Sequence, residues 1–480
     1  MKPLSLIDSA FLMLEQRQQP LHVGALCLFA PPEGAPEDFA YQLAERLRSS
    51  GQAVPPFNRR LITRAGVNFW EEAEDFDIAQ HFVHLALPKP GRMRELLAMI
   101  SRVHAAHLDR AYPLWRMYLI EGLEDGRIAL YSKIHHALVD GVAGIRLLMK
   151  TMDADPERSL AIPAPWEAYT KRGGKRSLPV PSPALRSVDA LRSLAREGVA
   201  NVAPIFRRLA ETRRDYRDGN PDCVGGLQAP VSMFNQRITG SRRFAAQSYS
   251  TARIKAIATA FDATSNDVVL AMCGSALRKY LLENEALPAD PLVAAVPVST
   301  RKDDGTSGNE VAFALTHLGT HLADPAKRLR AIKGCMDYNK RALRSLSATQ
   351  LLTYEGMLFA PGAVSLFTGL QRQRTIVNVV ISHVPGPRED LYWQGCRLEG
   401  LYPVSVVIHR IALNITLISR NESIDFGLIG CRKTVPHLQR LLEYLEEAIE
   451  ELEATLPDAK PAPKRRARTV EKTAEGSLAE

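Results

Sequence analysis

The 480-residue chain has no apolar run approaching the roughly 18 to 20 residues that a bilayer-crossing helix needs. Its opening stretch, Met1 to Leu14, is too short in apolar residues and too early broken by Asp8 to read as a secretory leader, so a cytoplasmic protein is expected. Six cysteines (Cys27, Cys223, Cys273, Cys335, Cys396 and Cys431) are scattered without Cys-x-x-Cys spacing. That argues against a thiolate metal knuckle or a disulfide scaffold and points to reduced thiols. A formal net charge of +8 has three possible uses: nucleic acid, an anionic membrane surface, or a polyanionic small ligand. No nucleic-acid motif accompanies the charge, so no nucleic-acid partner is expected. What is present is ample core material, 46% hydrophobic against 24% charged residues, in a chain long enough for two domains sharing a cleft.

The stretch with the most chemistry is His135-His136-Ala137-Leu138-Val139-Asp140-Gly141. Ahead of it, Ile128, Leu130, Ser132 and Ile134 alternate with Ala129, Tyr131, Lys133 and His135, a period of two that predicts a strand delivering the histidines. Behind it, Val142, Ile145, Leu148, Met149 and Met152 recur at helical spacing, so the motif sits on a strand-loop-helix corner. There Gly141 is free to take a backbone conformation closed to other residues. If the strand persists through 136, the two imidazoles face opposite sides and only one can enter a given cleft. A neutral imidazole is the side chain best suited to taking a proton from a hydroxyl near neutral pH. Asp140 reads as a loop-holding carboxylate that pairs with an arginine. Two competing readings stay open: a metal site from His136 and Asp140, which lacks a third ligand at any usual spacing, and a pair of satisfied core histidines. The seven residues resemble the HHxxxDG signature of CoA-dependent acyltransferases.

Along the chain, Asp8, Phe11 and Leu12 lie on a short expected helix, and His22-Val23-Gly24 opens a strand that runs to Phe29. Residues 37 to 50 and 92 to 107 read as helices, and Pro113-Leu114-Trp115 opens the strand pair leading to the corner. From Asp153 to about Gly240 the composition turns to Pro, Gly and Arg, a linker. Within it an apolar stripe from Leu185 to Leu209, flanked by Arg186, Arg192, Arg196, Arg207 and Arg208 and kinked at Pro204, fits either a membrane interface or packing on its own protein. Asn266-Asp267 begins an apolar helix, where either can cap free backbone donors. A β-branched run from Thr375 to Ser382 ends at His383-Val384-Pro385-Gly386-Pro387. Leu438, Leu441, Leu442, Leu445, Ile449 and Leu452 predict a closing amphipathic helix. The expected division is a domain at 1–153, a linker at 154–240, a domain at 241–456, and a disordered basic tail at 457–480 carrying Lys464, Arg465, Arg466 and Arg468.

These blocks, in this order over residues 3 to 455, resemble bacterial wax ester synthase/diacylglycerol acyltransferases: the D-x-x-F-L helix, the H-V-G-A strand, PLW, HHxxxDG, the ND block at Thr264 to Ala271, Pro297-Val298-Ser299 with Arg301, and a Val-Pro-Gly-Pro block. The chain departs from that pattern at His383, Arg420 and Cys431, where the family more usually has Asn, Tyr and Asp. The resemblance implies an α/β fold of two chloramphenicol-acetyltransferase-like domains with a tunnel between them. It implies His136 as general base, His135, Asp140 and Gly141 as support for the motif, and Asn266 as a possible donor to a developing oxyanion. It implies acyl-CoA as co-substrate, a fatty alcohol or diacylglycerol as acceptor, no metal or other cofactor, and peripheral association with the inner membrane or lipid droplets. CoA phosphates would need fixed cations, which arginines of the second half can supply. The rival readings are a condensation-domain-like acyltransferase and a catalytically silent lipid-binding paralogue.

Overall fold

The computed structural model describes residues 2–4, 6–49, 53–139, 141–167, 204–299, 311–344 and 373–456, with a few helical positions between 346 and 358. Asp140, the stripe at 185–203, Arg301 and the tail at 457–480 lie outside the described residues.

Two six-stranded mixed sheets carry the fold. The first runs Tyr392–Trp393, Cys396–Val404, His22–Ala30, Ile128–His135, Trp115–Glu121 and Phe82–Ala86, antiparallel except for its last pair. The second runs Val311–His317, Val293–Ser299, Val379–Pro385, Leu413–Ser419, Ser423–Cys431 and Arg242–Ser250, with Val379–Pro385 parallel to both neighbours. This is the expected α/β class. Sheet membership nevertheless crosses the two halves of the chain, because residues 392–404 complete the first sheet.

The expected strand ahead of the histidines forms over Ile128–His135 and is buried at every position. Its two faces feed different cores. Ala129 and Tyr131 pack with Leu96 and Ile100 of the helix Met93–Ala105, while Ile128, Leu130 and Ile134 pack with Trp115, Ile145 and Leu148. The helix Met93–Ala105 lies where the halves meet, and its Ser101 hydroxyl accepts from the Phe244 N–H at 2.8 Å. Gly427 sits at the junction of the two sheets, where a Cβ would run into the Pro403 carbonyl.

The helix Ser265–Glu283 is the buried axis of the second half, from Val268 through Leu277. Its cap is neither Asn266 nor Asp267. Thr264 holds that place, its hydroxyl accepting from the Asp267 N–H while the Asp267 carboxylate accepts from the Thr264 N–H at 2.9 Å. The reciprocal bonds form a capping box, which leaves the Asn266 amide uncommitted to the backbone.

Two of the departures from the family pattern prove to be structural. Arg420 donates through Nε to Asp425 at 2.6 Å and to the carbonyls of Leu398 and Glu399, tying the second sheet to the strand lent to the first. Asp425 is fully buried and also accepts from Ser248 and the Leu401 N–H. Cys431 Sγ accepts from the Thr239 N–H and the Thr434 hydroxyl; burial pushes this thiol up, but those hydrogen bonds bring it down to about 7. Removing the guanidinium strands a buried carboxylate, so Arg420→Ala is expected to cost about 3 kcal/mol or more. Urea unfolding checks this, and a loss under about 1 kcal/mol would show that the pair does not hold the sheets.

Candidate active site

Two distant segments grip the backbone of the histidine pair. The His135 N–H donates to the Leu114 carbonyl of the PLW block, and the His136 N–H donates to the Leu21 carbonyl beside the His-Val-Gly block, each at 2.9 Å. The strand ends at His135 and the two side chains find different surroundings. Gly141 opens the helix Gly141–Met149, and among the described residues a Cβ there would meet nothing within 4 Å.

His135 is 1% exposed, and its Nδ1 accepts from the Ala137 N–H at 3.1 Å, which leaves the proton on Nε2. Nε2 faces Glu15 Oε1 at 3.4 Å. The Glu15 carboxylate also receives Arg110 at 2.8 Å, His107 at 3.4 Å and the Leu21 N–H at 3.2 Å. Burial pushes this carboxyl up, yet the hydrogen bonds of His135 and Arg110 outweigh it and hold it at about 2. His135 is therefore a supporting residue, locked by an anion from the end of the first helix.

His136 is only half-buried, and its ring lies flat on Phe11, centroids 4.1 Å apart and planes inclined by 14°. Phe11 comes from the helix Leu6–Leu14, so the D-x-x-F-L block covers one face of the motif's second imidazole. Of the pair, only His136 retains access for a reacting group.

Behind them lies a buried polar layer. His22 pairs with His135 across the strands and reaches the His104 carbonyl at 2.5 Å. His104 meets the Tyr131 hydroxyl at 2.6 Å and the Ser405 carbonyl at 3.0 Å. Lys133 is 1% exposed and donates to the carbonyls of Val103 and Ala106 at the end of a helix. Burial drives all three bases down, His22 well below the usual imidazole range, His104 to about 3 and Lys133, with the help of Arg116, to about 7. His22 and His104 are neutral framework.

Asn266 lies elsewhere, in a cavity of about 850 Å³ in the second half. His383 spans it, with Nδ1 3.3 Å from Asn266 Oδ1 and Nε2 2.6 Å from Ser419 Oγ. Burial lowers His383 to about 4, so it stays neutral near pH 7. With Ser419 donating to Nε2, Nδ1–H donates to the Asn266 carbonyl oxygen, which leaves the amide N–H groups for a ligand. The histidine in the family's Asn position thus orients Asn266. Neither His135 nor His136 lines this cavity.

This arrangement belongs to a known class. The first condensation domain of the calcium-dependent antibiotic synthetase overlies 94% of the chain, and 95% of its own, at a TM-score of 0.56 and 16% identity, which shows a shared fold. The chain belongs to the wax ester synthase/diacylglycerol acyltransferase family: residues 4–269 match the wax ester synthase/diacylglycerol acyltransferase catalytic domain and residues 307–453 the WS/DGAT C-terminal domain. It is 43% identical to an O-acyltransferase WSD of Acinetobacter baylyi over 95% of the chain and 98% of that protein. A probable diacylglycerol O-acyltransferase of Mycobacterium tuberculosis is 43% identical over 93% of the chain and 97% of its own length. The solved wax ester synthase/diacylglycerol acyltransferase of Marinobacter aquaeolei VT8 is 42% identical, covering 94% of this chain and 99% of that one at a TM-score of 0.75.

Sequence reading missed Glu15, Arg110 and His104. Only Lys133 carried a signal, a lone cation in a strand with apolar residues on both parities. A carboxyl held at about 2 in the folded chain, against 4.5 when exposed, stabilises the fold above pH 4.5. That stabilisation is lost as pH falls toward 2, and amounts to about 3 kcal/mol when complete. Glu15→Gln is therefore expected to lower the unfolding free energy by about that much at pH 7 and by almost nothing near pH 2. Denaturant unfolding at both pH values checks this; equal deficits at both would contradict it.

Proposed function

We infer that the protein transfers a fatty acyl group from acyl-CoA to the hydroxyl of a lipid alcohol, a fatty alcohol or diacylglycerol, giving wax ester or triacylglycerol. The observation that carries this reading is the half-buried His136 beside a fully locked His135, within a chain related along almost its whole length to O-acyltransferases. His136 takes the acceptor's hydroxyl proton as its oxygen attacks the thioester carbonyl. The Asn266 amide donates to the oxyanion, the C–S bond breaks, and the imidazolium returns the proton to the departing CoA thiolate. Direct attack with both substrates bound requires positioning and a base, and no acyl-enzyme. This reading requires a passage joining the His136 side to the Asn266 cavity, and assigns Asp140 to holding the loop of the histidine motif. Structural roles for Arg420 and Cys431 remove the main reason to read the chain as a silent paralogue.

His136→Ala is expected to lower kcat by about 10²- to 10⁴-fold while circular dichroism and melting stay those of the wild type. A folded variant with near-normal turnover would end the general-base role.

Peripheral membrane binding is part of this proposal. No helix among the described residues is long and apolar enough to cross a membrane. The helical segment 204–217 packs inward through Ile205 and through Arg208 stacked on Tyr338 at 5.0 Å. Its outer side exposes Phe206 (58%) and Tyr216 (52%) among Arg207, Arg213, Arg214 and Arg217. Aromatic rings set among arginines suit an anionic lipid surface, at about 1 kcal/mol per cation. Co-sedimentation with phosphatidylglycerol vesicles is expected at low salt and to fall with salt or on Arg213→Gln/Arg217→Gln. Equal recovery on purely zwitterionic vesicles would contradict the electrostatic component.

A further inference from the structure

The cavity beside Asn266 carries positive charge that its described lining does not balance. Five cations line it, Lys255, Lys340, Arg344, Arg388 and Arg420, and among the described residues no Asp or Glu does. Arg420 is taken up by Asp425 at 2.6 Å, and Lys340 has only a loose 3.7 Å contact with Asp337. Among the described residues, Lys255, Arg344 and Arg388 have no carboxylate partner. They come from three elements: the helix Thr251–Ala260, the end of the helix Pro325–Arg344, and the loop after Val379–Pro385. Thr264, Ser265 and Asn266, at the start of the 19-residue helix Ser265–Glu283, also line the cavity. Their end of the helix dipole favours negative charge too. Part of the lining is apolar, with buried Met336 and Leu343.

We propose that this cavity binds the phosphorylated end of acyl-CoA, with Lys255, Arg344 and Arg388 receiving its 3′-phosphate and diphosphate and Lys340 assisting. The proposal rests on the acyl-transfer reading above. Of the two substrates in that reaction only the donor is charged: a fatty alcohol or diacylglycerol has no use for a cluster of cations, whereas phosphate oxygens gain charge-assisted hydrogen bonds from it. The volume, about 850 Å³, suits a ligand of this size. The apolar part of the lining accepts the pantetheine arm that carries the thioester, and Asn266 lines the same cavity with its amide oriented by His383. The acyl donor then enters from the second half, leaving the Phe11 side of His136 to the acceptor.

Calorimetric titration with free CoA, dephospho-CoA and inorganic phosphate tests this without any turnover. Wild-type protein is expected to bind CoA, to bind dephospho-CoA about tenfold more weakly, and to bind inorganic phosphate weaker still. Arg344→Gln/Arg388→Gln is expected to weaken CoA about tenfold or more and to raise KM for acyl-CoA far more than KM for hexadecanol. Both arginines are exposed, and Lys255→Gln/Lys340→Gln repeats the test on the other two cations assigned to the phosphates. Vesicles containing phosphatidylglycerol separate a lipid headgroup site from a CoA site. If the arginine variant loses vesicle binding but binds CoA within twofold of wild type, the assignment is overturned. If the wild type transfers acyl groups and both double variants keep its KM for acyl-CoA, the assignment fails while the acyl-transfer reading stands. If the wild type binds CoA through these cations yet transfers nothing, the site stands and the acyl-transfer reading fails.

Discussion

A single buried carboxylate, Glu15, sets the geometry on which the active corner depends. It sits at the end of the first helix with 6% of its side chain exposed, and it stays ionised because Arg110, His135 and the Leu21 N–H converge on it. The same loop presents the Leu21 carbonyl to the His136 backbone. Gln19 donates to the Leu14 carbonyl and accepts from the His409 N–H at 2.7 Å, while the Gln18 carbonyl accepts from Arg242 at 2.6 Å. Residues 15 to 22 therefore bind the first helix, the histidine corner and the second half together. A shift in this loop would move His136 and the junction of the halves at once.

The two sheets are coupled in the same spirit. Cys396–Val404 pairs with His22–Ala30 in the first sheet, and Arg420 and Asp425 fasten it to the second. Strand sharing fixes the angle between halves more firmly than side-chain packing alone, since a ladder of backbone hydrogen bonds has one register wherever both faces are buried. The proposed mechanism, which brings a base from one half to an oxyanion donor on the other, gains from such stiffness, because small misplacements are costly in rate.

Period and order were legible in the sequence. Alternation along Ile128–His135, the helical spacing after Gly141 and the apolar repeat that became Arg440–Glu453 each gave the observed element. The motif order gave the family and hence the fold. Hidden from it were the contacts between distant segments. Nothing local to Glu15 says that it will lie under His135, 120 positions later, and Asn266 looked like a cap because Thr264, two residues earlier, offers the same chemistry. His383 seemed a loss relative to the family's Asn; only its position between Asn266 and Ser419 shows how an imidazole can orient the amide. Pairwise contacts of this sort have no periodicity, so pattern reading does not find them.

The claim that Glu15 fixes the histidine corner is tested most directly by the tautomer of His135. Nitrogen-15 NMR of the histidine-labelled protein at pH 7, with the signal assigned by its absence in His135→Gln, is expected to show an unprotonated Nδ1 and a protonated Nε2. A protonated Nδ1, in either a neutral or a doubly protonated ring, is incompatible with the Ala137 N–H donating to it and would contradict the account.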